Sequence, residues 1–320
     1  MWMRGYIVRI ITEGVELAIE LLDSTYFDEK KFKKYMHSKV GKIFLNHEIE
    51  LRRKISPLIV EQEIKMIFDN PKYKDLYGFY ILKENMELVK KDLEYIRCNE
   101  EDIISKVLEQ IYIYIPKWVE IKPDITLYVG GVDGGFATFT KDVYINYIKY
   151  IGNLKEFKKV LAHEFYHARR VPINKKIKLF LKMSFYINRA KYDSLGRIFE
   201  EGIACLIQHG VNFETDDPVG TLTNRDILLK KEHFEILNEA LFSIKHNNPD
   251  YNLIYKINVY VIGYIISKTI YEYKGSITLD EWTINFNYEA LIQKYIEICK
   301  ESGIASGFDR ELEKWLISGR

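Results

Sequence analysis

The feature that most constrains this chain is a pair of histidines, His163 and His167, four residues apart with Glu164 directly after the first. The run from Val160 to His167 has the apolar spacing of a helix, and residues four apart lie on one face of a helix. Both imidazoles can then reach one ion at about 2.0–2.1 Å. Glu164 lies one step round the helix, where it can hold a water rather than the ion. The spacing therefore predicts a helix that carries a metal site.

The surroundings of this motif are uncharged, as expected for a helix buried beneath an active-site cleft. The alternative is that the two histidines pack in a core or at a surface while Glu164 is exposed to solvent. A helical context is what the H-E-x-x-H motif requires, so the metal site is the favoured interpretation. The uncharged neighbours are Leu161, Ala162, Phe165, Tyr166 and Ala168.

A third ligand is needed, because a catalytic zinc site has three protein ligands and one open position. A histidine six residues after His167 would complete one known pattern, but Ile173 occupies that place. Two carboxylates farther along the chain, Glu200 and Glu201, are the better candidates.

The choice between the two glutamates depends on which one points inward. Glu201 shares its helix face with apolar residues, and an inward carboxylate is costly unless it meets a cation. Glu200 can instead pair with Arg197, and both glutamates could also be solvated at a helix end. We therefore predict that His163, His167 and Glu201 bind one zinc ion. The neighbours of Glu201 on its face are Ile198, Ala204 and Cys205.

A short β region is expected in the middle of the chain. Strands are predicted at 125–129, 136–140 and 143–147, where β-branched and aromatic residues are frequent. Four of the six residues from Gly130 to Gly135 are glycines, which predicts a turn with positive φ or close backbone approach.

The rest of the chain has helical periodicity, so we predict an α+β fold that is predominantly α-helical, zincin-like, with a small sheet beside the motif helix. Residues 1–117 are expected to form a helical subdomain and residues 118–320 the region that carries the motif. Ser56 and Pro57 are expected to start one of the helices. Further helices are expected at 101–114, 154–170, 174–190, 195–209, 224–246, 254–273 and 287–302.

The overall charge balance excludes some classes of protein. The chain has 47 Lys and Arg against 46 Asp and Glu, a formal net charge of +1. Nucleic-acid binders and polybasic membrane binders usually have a basic excess, so neither partner is expected. No stretch of about 18 uncharged apolar residues is present, so no membrane span is expected. The oligomeric state is not indicated.

A cytoplasmic location is also expected. The three cysteines are far apart and form no disulfide framework, which suits a reducing compartment. Glu13, Glu16 and Glu20 interrupt the apolar residues near the start of the chain, so no secretory signal is predicted.

Several motifs resemble those of known zinc enzymes. H-E-x-x-H at 163–167 followed by E-G-x-A at 201–204 resembles the gluzincin zinc metallopeptidases. Y-x-x-G at 260–263 resembles a segment of the aminopeptidase-N-like gluzincins, and 134–138 stands where those enzymes place an edge strand. The segment from about 120 to 270 also resembles an uncharacterised bacterial family expected to be zinc-dependent peptidases.

The resemblance implies a hydrolase with one Zn²⁺ per chain that cleaves peptide or protein substrates. It implies that a metal-activated water attacks the peptide bond and that Glu164 is the general base. In those enzymes the tyrosine of Y-x-x-G stabilises the oxyanion, which implies this role for Tyr260. Tyr264 and His209 are weaker candidates, and a packed aromatic is the alternative for Tyr260.

The chain also departs from the aminopeptidases. Their G-x-M-E-N segment supplies a glutamate that grips the substrate's amino group, whereas Phe136-Ala137-Thr138 has no carboxylate and Asp133 is out of place. Strict aminopeptidase specificity is therefore not implied. Two other functions stay open: a non-catalytic binding or regulatory protein that keeps the fold, and a zinc hydrolase of a non-peptide amide or ester. The presence of Glu164 argues against the first.

Overall fold

The computed structural model describes residues 8–138 and 142–318. These residues form eighteen α-helices and four short strands, so the predicted α+β fold with a helical majority is confirmed. In chain order the helices are α1 Glu13–Leu22, α2 Glu29–His37, α3 Lys39–Glu50, α4 Pro57–Asp69, α5 Phe79–Glu84, α6 Met86–Cys98, α7 Glu100–Ile111, α8 Leu154–His167, α9 Ile173–Met183, α10 Tyr186–Lys191, α11 Arg197–His209, α12 Asn224–Leu228, α13 Lys230–Lys245, α14 Tyr251–Ile254, α15 Val259–Lys274, α16 Ser276–Thr283, α17 Tyr288–Ser302 and α18 Arg310–Ser318.

The strands form one sheet with the order β1-β2-β4-β3. Strand β2 pairs in parallel with both β1 and β4, and β3 pairs antiparallel with β4, so that Phe136 lies opposite Tyr144. Within the described residues, β3 is therefore an edge strand. The strands are β1 Ile10–Ile11, β2 Ile125–Tyr128, β3 Gly135–Ala137 and β4 Val143–Asn146.

Helices cover the sheet. This cover explains why the sequences of its central strands do not alternate between polar and apolar residues. Every residue of β2 and β4 is buried. Helices α1 and α3 pack against β2, while α8 packs against β3 and β4. A strand buried on both faces shows no alternation of polar and apolar residues. The predicted small sheet beside the motif helix is thus confirmed.

The glycine-rich turn after β2 depends on Gly130 and Gly131 for its backbone conformation. Gly130 and Gly131 have φ of +110° and +94°, a region that side chains rarely adopt. A Cβ on Gly130 would also lie 3.2 Å from the rings of Phe44 and Phe79. The turn therefore needs glycine for both conformation and space at this position.

The contacts divide the chain into two compact units. The first consists of the described residues of Met1–Val107 and Lys122–Ala168, and contains the sheet and α8. The second consists of the described residues of Leu108–Ile121 and Arg169–Arg320, and contains α9 to α18. Separate folding of residues 1–117 stays a prediction.

The helix predictions are right in place but often wrong in extent. Ser56 accepts a hydrogen bond from the Ile59 amide at 3.3 Å and caps α4, as predicted. The predicted helix 174–190 is two helices, since the Ser184 hydroxyl bonds back to the Phe180 carbonyl and the chain extends at Phe185. The stretch predicted at 224–246 is also two helices, which meet at Leu229, and the helix predicted at 254–273 begins only at Val259.

The β predictions also hold within the described ranges. The first and last predicted strands are confirmed at 125–128 and 143–146. The middle one is confirmed at 135–137, while positions 139 and 140 lie outside the described residues. The strand β1 was not predicted, because two residues are too few for a periodic signal.

None of the described helices combines the length and apolar character that crossing a bilayer requires.

Candidate metal centre

The motif lies on α8, as the sequence predicts. The Asn153 side chain accepts a hydrogen bond from the Glu156 amide at 3.2 Å and caps the start of this helix. His163 and Glu164 are buried and His167 is half-buried, close to the C-terminal end of the helix. The chain has thus placed two imidazoles and a carboxylate at the end of one well-capped helix.

The two imidazoles are arranged as ligands of one ion would be. Nε2 of His163 and Nε2 of His167 are 3.2 Å apart. Two nitrogens bound to a tetrahedral zinc at about 2.0–2.1 Å are separated by about 3.3–3.4 Å. The observed separation fits that geometry, so the donor pair suits a metal ion.

Glu201, the predicted third ligand, lies on α11 and is half-buried. Single ligand atoms of His163, His167 and Glu201 all lie within 4.8 Å of one another. Two histidines and one carboxylate are a donor set that zinc takes in catalytic sites. The residues present therefore fit the ion that the motif predicts.

The neighbouring Glu200 is engaged elsewhere. Nη1 and Nη2 of the buried Arg169 donate to the two oxygens of Glu200 at 3.0 and 2.6 Å, and the Trp282 indole donates to one of them at 3.1 Å. Arg169 Nε donates to the Thr283 carbonyl at 3.0 Å. With both oxygens in strong bonds, Glu200 is poorly placed to bind a metal. This contact favours Glu201 over Glu200 as the ligand.

Tyr260 lies on α15 and is half-buried, one turn before Gly263. A Cβ on Gly263 would lie 2.1 Å from the Ile198 carbonyl oxygen and 2.7 Å from Gly202 Cα. Ile198 and Gly202 belong to α11, so α11 and α15 cross with their backbones in contact. Glu201 directly precedes Gly202 on α11. The glycines of E-G-x-A and Y-x-x-G are thus explained by packing.

The two weaker oxyanion candidates have other contacts. The Tyr264 hydroxyl donates to the Gly210 carbonyl at 2.8 Å, just after α11 ends, and burial raises the pKa of this phenol. The His209 ring is buried and lies 4.8 Å from the Phe213 ring. Tyr264 thus has its proton committed to a structural bond, which argues against it as an oxyanion donor.

Strand β3 passes directly beside Glu164. A Cβ on Gly135 would lie 3.4 Å from Glu164 Cγ, 2.8 Å from Ile145 Cδ1 and 3.0 Å from the Tyr144 carbonyl oxygen. Only a residue without a side chain fits there unless the neighbours move. The edge strand and the carboxylate of the motif are therefore neighbours within the first unit.

Comparison with known protein families gives a match over most of the chain. Residues 24–303 match the family described as "Putative zinc dependent peptidase (DUF5700)". The chain belongs to this family. The matched range contains α8, α11 and α15 with the residues discussed above. No curated protein and no solved structure matches the chain.

Membership in this family agrees with the resemblance found in the motifs. The family is described as zinc dependent, and the described residues of this chain contain a group of two histidines and one glutamate that could hold a metal.

The sequence reasoning missed a polar cluster at the start of β3. Asp133 accepts two hydrogen bonds from Arg53, both at 3.0 Å, and contacts His47 Nε2 at 2.9 Å. The His47 ring stacks on Phe136 with centroids 3.8 Å apart. Arg53 also pairs with the buried Glu48 at 2.8 Å. The cluster holds the loop before β3, and Asp133 is not available to grip a substrate amine.

This cluster predicts a specific pH dependence of stability. Burial would raise the pKa of Asp133, but hydrogen bonds from His47 and Arg53 outweigh it and lower the pKa from 3.8 to about 2. A carboxylate with a lowered folded-state pKa stabilises the protein above its unfolded pKa, and this contribution is lost as the pH falls from about 4 to about 2. Asp133→Asn should lower the free energy of unfolding at neutral pH by about 1–2 kcal/mol.

Denaturant unfolding of both proteins across the acid range tests this. The difference between wild type and Asp133→Asn should shrink as the pH falls through that window. Asp102→Asn, which removes an exposed i,i+4 pair with Lys106, is the control and should cost under about 0.5 kcal/mol. A difference that stays constant with pH would show that Asp133 is not held by these bonds.

Proposed function

We propose that this chain is a zinc-dependent peptidase in which His163, His167 and Glu201 bind the ion and Glu164 is the general base. The observation that carries the proposal is the 3.2 Å separation of the two Nε2 atoms, with a Glu201 oxygen within 4.8 Å. Family membership supports both zinc dependence and peptidase activity. The buried Glu164 supports a catalytic site over a structural one, since metal binding alone needs no base.

The roles of the chain's own residues follow from their positions. A bound zinc ion would supply Lewis-acid chemistry, lowering the pKa of a water and polarising a carbonyl. Glu164 takes the proton of the attacking water and later gives it to the leaving amine. Glu164 is buried next to Gly135, so bulk water is kept away from its side chain.

Tyr260 is our candidate for stabilising the oxyanion. A phenol can donate a hydrogen bond to the negative charge that develops on the carbonyl oxygen. The helix crossing at Gly263 holds α15 against α11, the helix that carries Glu201. Tyr260→Phe should therefore lower kcat while leaving zinc binding unchanged.

Strand β3 is our candidate for binding the substrate backbone. It pairs with β4 on one side and lies next to Glu164. An edge strand can add an extended peptide by main-chain hydrogen bonds.

We further propose an intracellular, reducing location with no nucleic-acid partner, because the chain's three separated cysteines form no disulfide framework and its net charge is near zero.

Metal content of matched variants tests the ligand assignment. Wild-type protein should hold about one zinc per chain, and both His163→Ala and Glu201→Gln should lose it. Glu200→Gln is the matched control, since this neighbour is bound to Arg169, and it should keep the metal. Elemental analysis of the purified proteins gives the measurement.

The reverse pattern would contradict the assignment. Zinc retained in Glu201→Gln but lost in Glu200→Gln would move the third ligand to Glu200. A folded wild type that takes up no zinc from a supplemented buffer would remove the basis for the proposed function. Turnover of esters without turnover of any peptide in a substrate series would assign the site to a different hydrolase class.

A further inference from the structure

Helix α9 carries an apolar stripe that faces solvent. Its side chains are large and remain between 54% and 76% exposed. They lie at positions i, i+4, i+7 and i+8, which share one face of a helix. A stripe of this size is unusual on a free surface, because exposed apolar residues are normally scattered. The residues are Ile173, Ile177, Phe180 and Leu181.

The stripe lies in a segment of one charge sign. Between Ala168 and Tyr192 the sequence has eight Lys or Arg residues and no Asp or Glu, in a chain whose formal net charge is +1. Three of them are paired within the second unit, with Glu200, Glu120 and Glu289. Among the described ion pairs, none involves the lysines of α9 at 175, 176 and 178. The eight residues are Arg169, Arg170, Lys175, Lys176, Lys178, Lys182, Arg189 and Lys191.

The lysines flank the stripe. At 100° per residue, Lys176 lies on one side of the apolar face and Lys178 lies on the other, and both side chains are exposed. The half-buried residues Leu179 and Met183 lie on the opposite side of the helix, and α9 packs against α10. No residue of α9 is fully buried. The stripe is therefore a convex ridge rather than a groove.

We propose that this face of α9 binds the surface of an anionic lipid bilayer. An amphipathic helix with lysines beside an apolar face lies in the plane of the interface, with its apolar side chains among the lipid chains. Lysine stems can lie along the apolar region while their ammonium groups reach lipid phosphates. Binding of this kind needs no spanning helix. The proposal goes beyond peptidase activity and does not depend on it.

The other occupants fit the face less well. A second copy of the chain would bring two lysine-flanked ridges together, and like charges would oppose the contact. A peptide or protein segment usually docks in a groove, and this face is a ridge. A flat anionic surface satisfies the ridge shape, the apolar side chains and the lysines together.

Vesicle co-sedimentation of the full chain tests the proposal. The protein should sediment with vesicles that contain about one third phosphatidylglycerol and should stay in solution with pure phosphatidylcholine. Raising the salt concentration should weaken the binding, because salt screens the lysines. Failure of the protein to sediment with anionic vesicles overturns the proposal. Binding to soluble polyglutamate without binding to anionic vesicles overturns it as well.

Two double variants separate the apolar and the charged parts. Ile177→Asp with Phe180→Asp should abolish sedimentation, and Lys176→Glu with Lys178→Glu should lower vesicle affinity by about tenfold or more. Leu228→Asp with Lys231→Glu changes an exposed leucine and an exposed lysine outside α9, and should bind as wild type does. Because all these side chains are exposed, circular dichroism and thermal unfolding should be unchanged. Vesicle binding that both α9 variants retain would overturn the proposal.

Discussion

Replacing Glu164 with glutamine is expected to lower kcat for peptide hydrolysis by about 10²–10⁴-fold, the usual contribution of a positioned general base. Glutamine has nearly the same shape as glutamate, so it fits the space beside Gly135. Its amide cannot take a proton from water at neutral pH. The measurement is steady-state hydrolysis of a quenched-fluorescent peptide library by zinc-loaded protein.

Two companion measurements make this result specific. Zinc content should be the same in wild type and Glu164→Gln, because Glu164 is not among the proposed ligands. Glu156→Gln changes another buried glutamate of α8, which pairs with Lys159 at 2.8 Å, and should keep activity close to that of wild type. Full peptidase activity in Glu164→Gln would show that a different residue is the base.

Replacing Gly263 with alanine is expected to destabilise the second unit by about 2–4 kcal/mol. The new methyl would lie 2.1 Å from the Ile198 carbonyl oxygen and 2.7 Å from Gly202 Cα. Both are backbone atoms, so α11 and α15 must separate. Alanine favours a helix over glycine by only about 1 kcal/mol, which does not offset the clash. Thermal or denaturant unfolding of the zinc-free protein gives the measurement.

A matched change on the same helix controls for this effect. Lys268 lies on α15 with about a third of its side chain exposed, and Lys268→Ala should change the free energy of unfolding by under about 0.5 kcal/mol. Gly202→Ala should behave like Gly263→Ala, because its methyl would lie 2.3 Å from the Gly263 backbone. Stability close to wild type in Gly263→Ala would mean that the two helices do not cross this closely.

The motif helix and the small sheet could be predicted because local signals determine them. Helical spacing around His163 and β-branched runs before and after the glycine turn act over a few residues. The ends of the helices could not be predicted as well. The break at Ser184 depends on one hydroxyl that bonds to its own helix, and many serines lie in helices without ending them.

The contacts of the candidate site were less predictable than its residues. The sequence shows an arginine two residues after His167 and a glutamate before Glu201. Nothing in their spacing of 31 residues indicates that Arg169 and Glu200 meet. The Asp133 cluster is equally hidden, since Arg53 and Asp133 are 80 residues apart. Such pairs depend on tertiary structure, which periodicity does not encode.

The net charge of the whole chain does not reveal the basic segment around α9. The net charge of +1 is a sum over 320 residues, and acidic residues elsewhere balance the lysines of this segment. Only the exposed face of the helix shows which charges share a surface with Ile177 and Phe180.

The pairing of Arg169 with Glu200 indicates where the length of this chain can vary. Arg169 pairs with Glu200 and also donates to the Thr283 carbonyl. These bonds hold both ends of the segment from residue 169 to residue 200. Helix α9 has no buried residue and lies in the sequence between Arg169 and Glu200. Insertions, deletions and proteolytic nicks are tolerated best where little backbone is buried. Relatives of this chain should therefore differ in length at α9 more readily than at any point in α8 or α11.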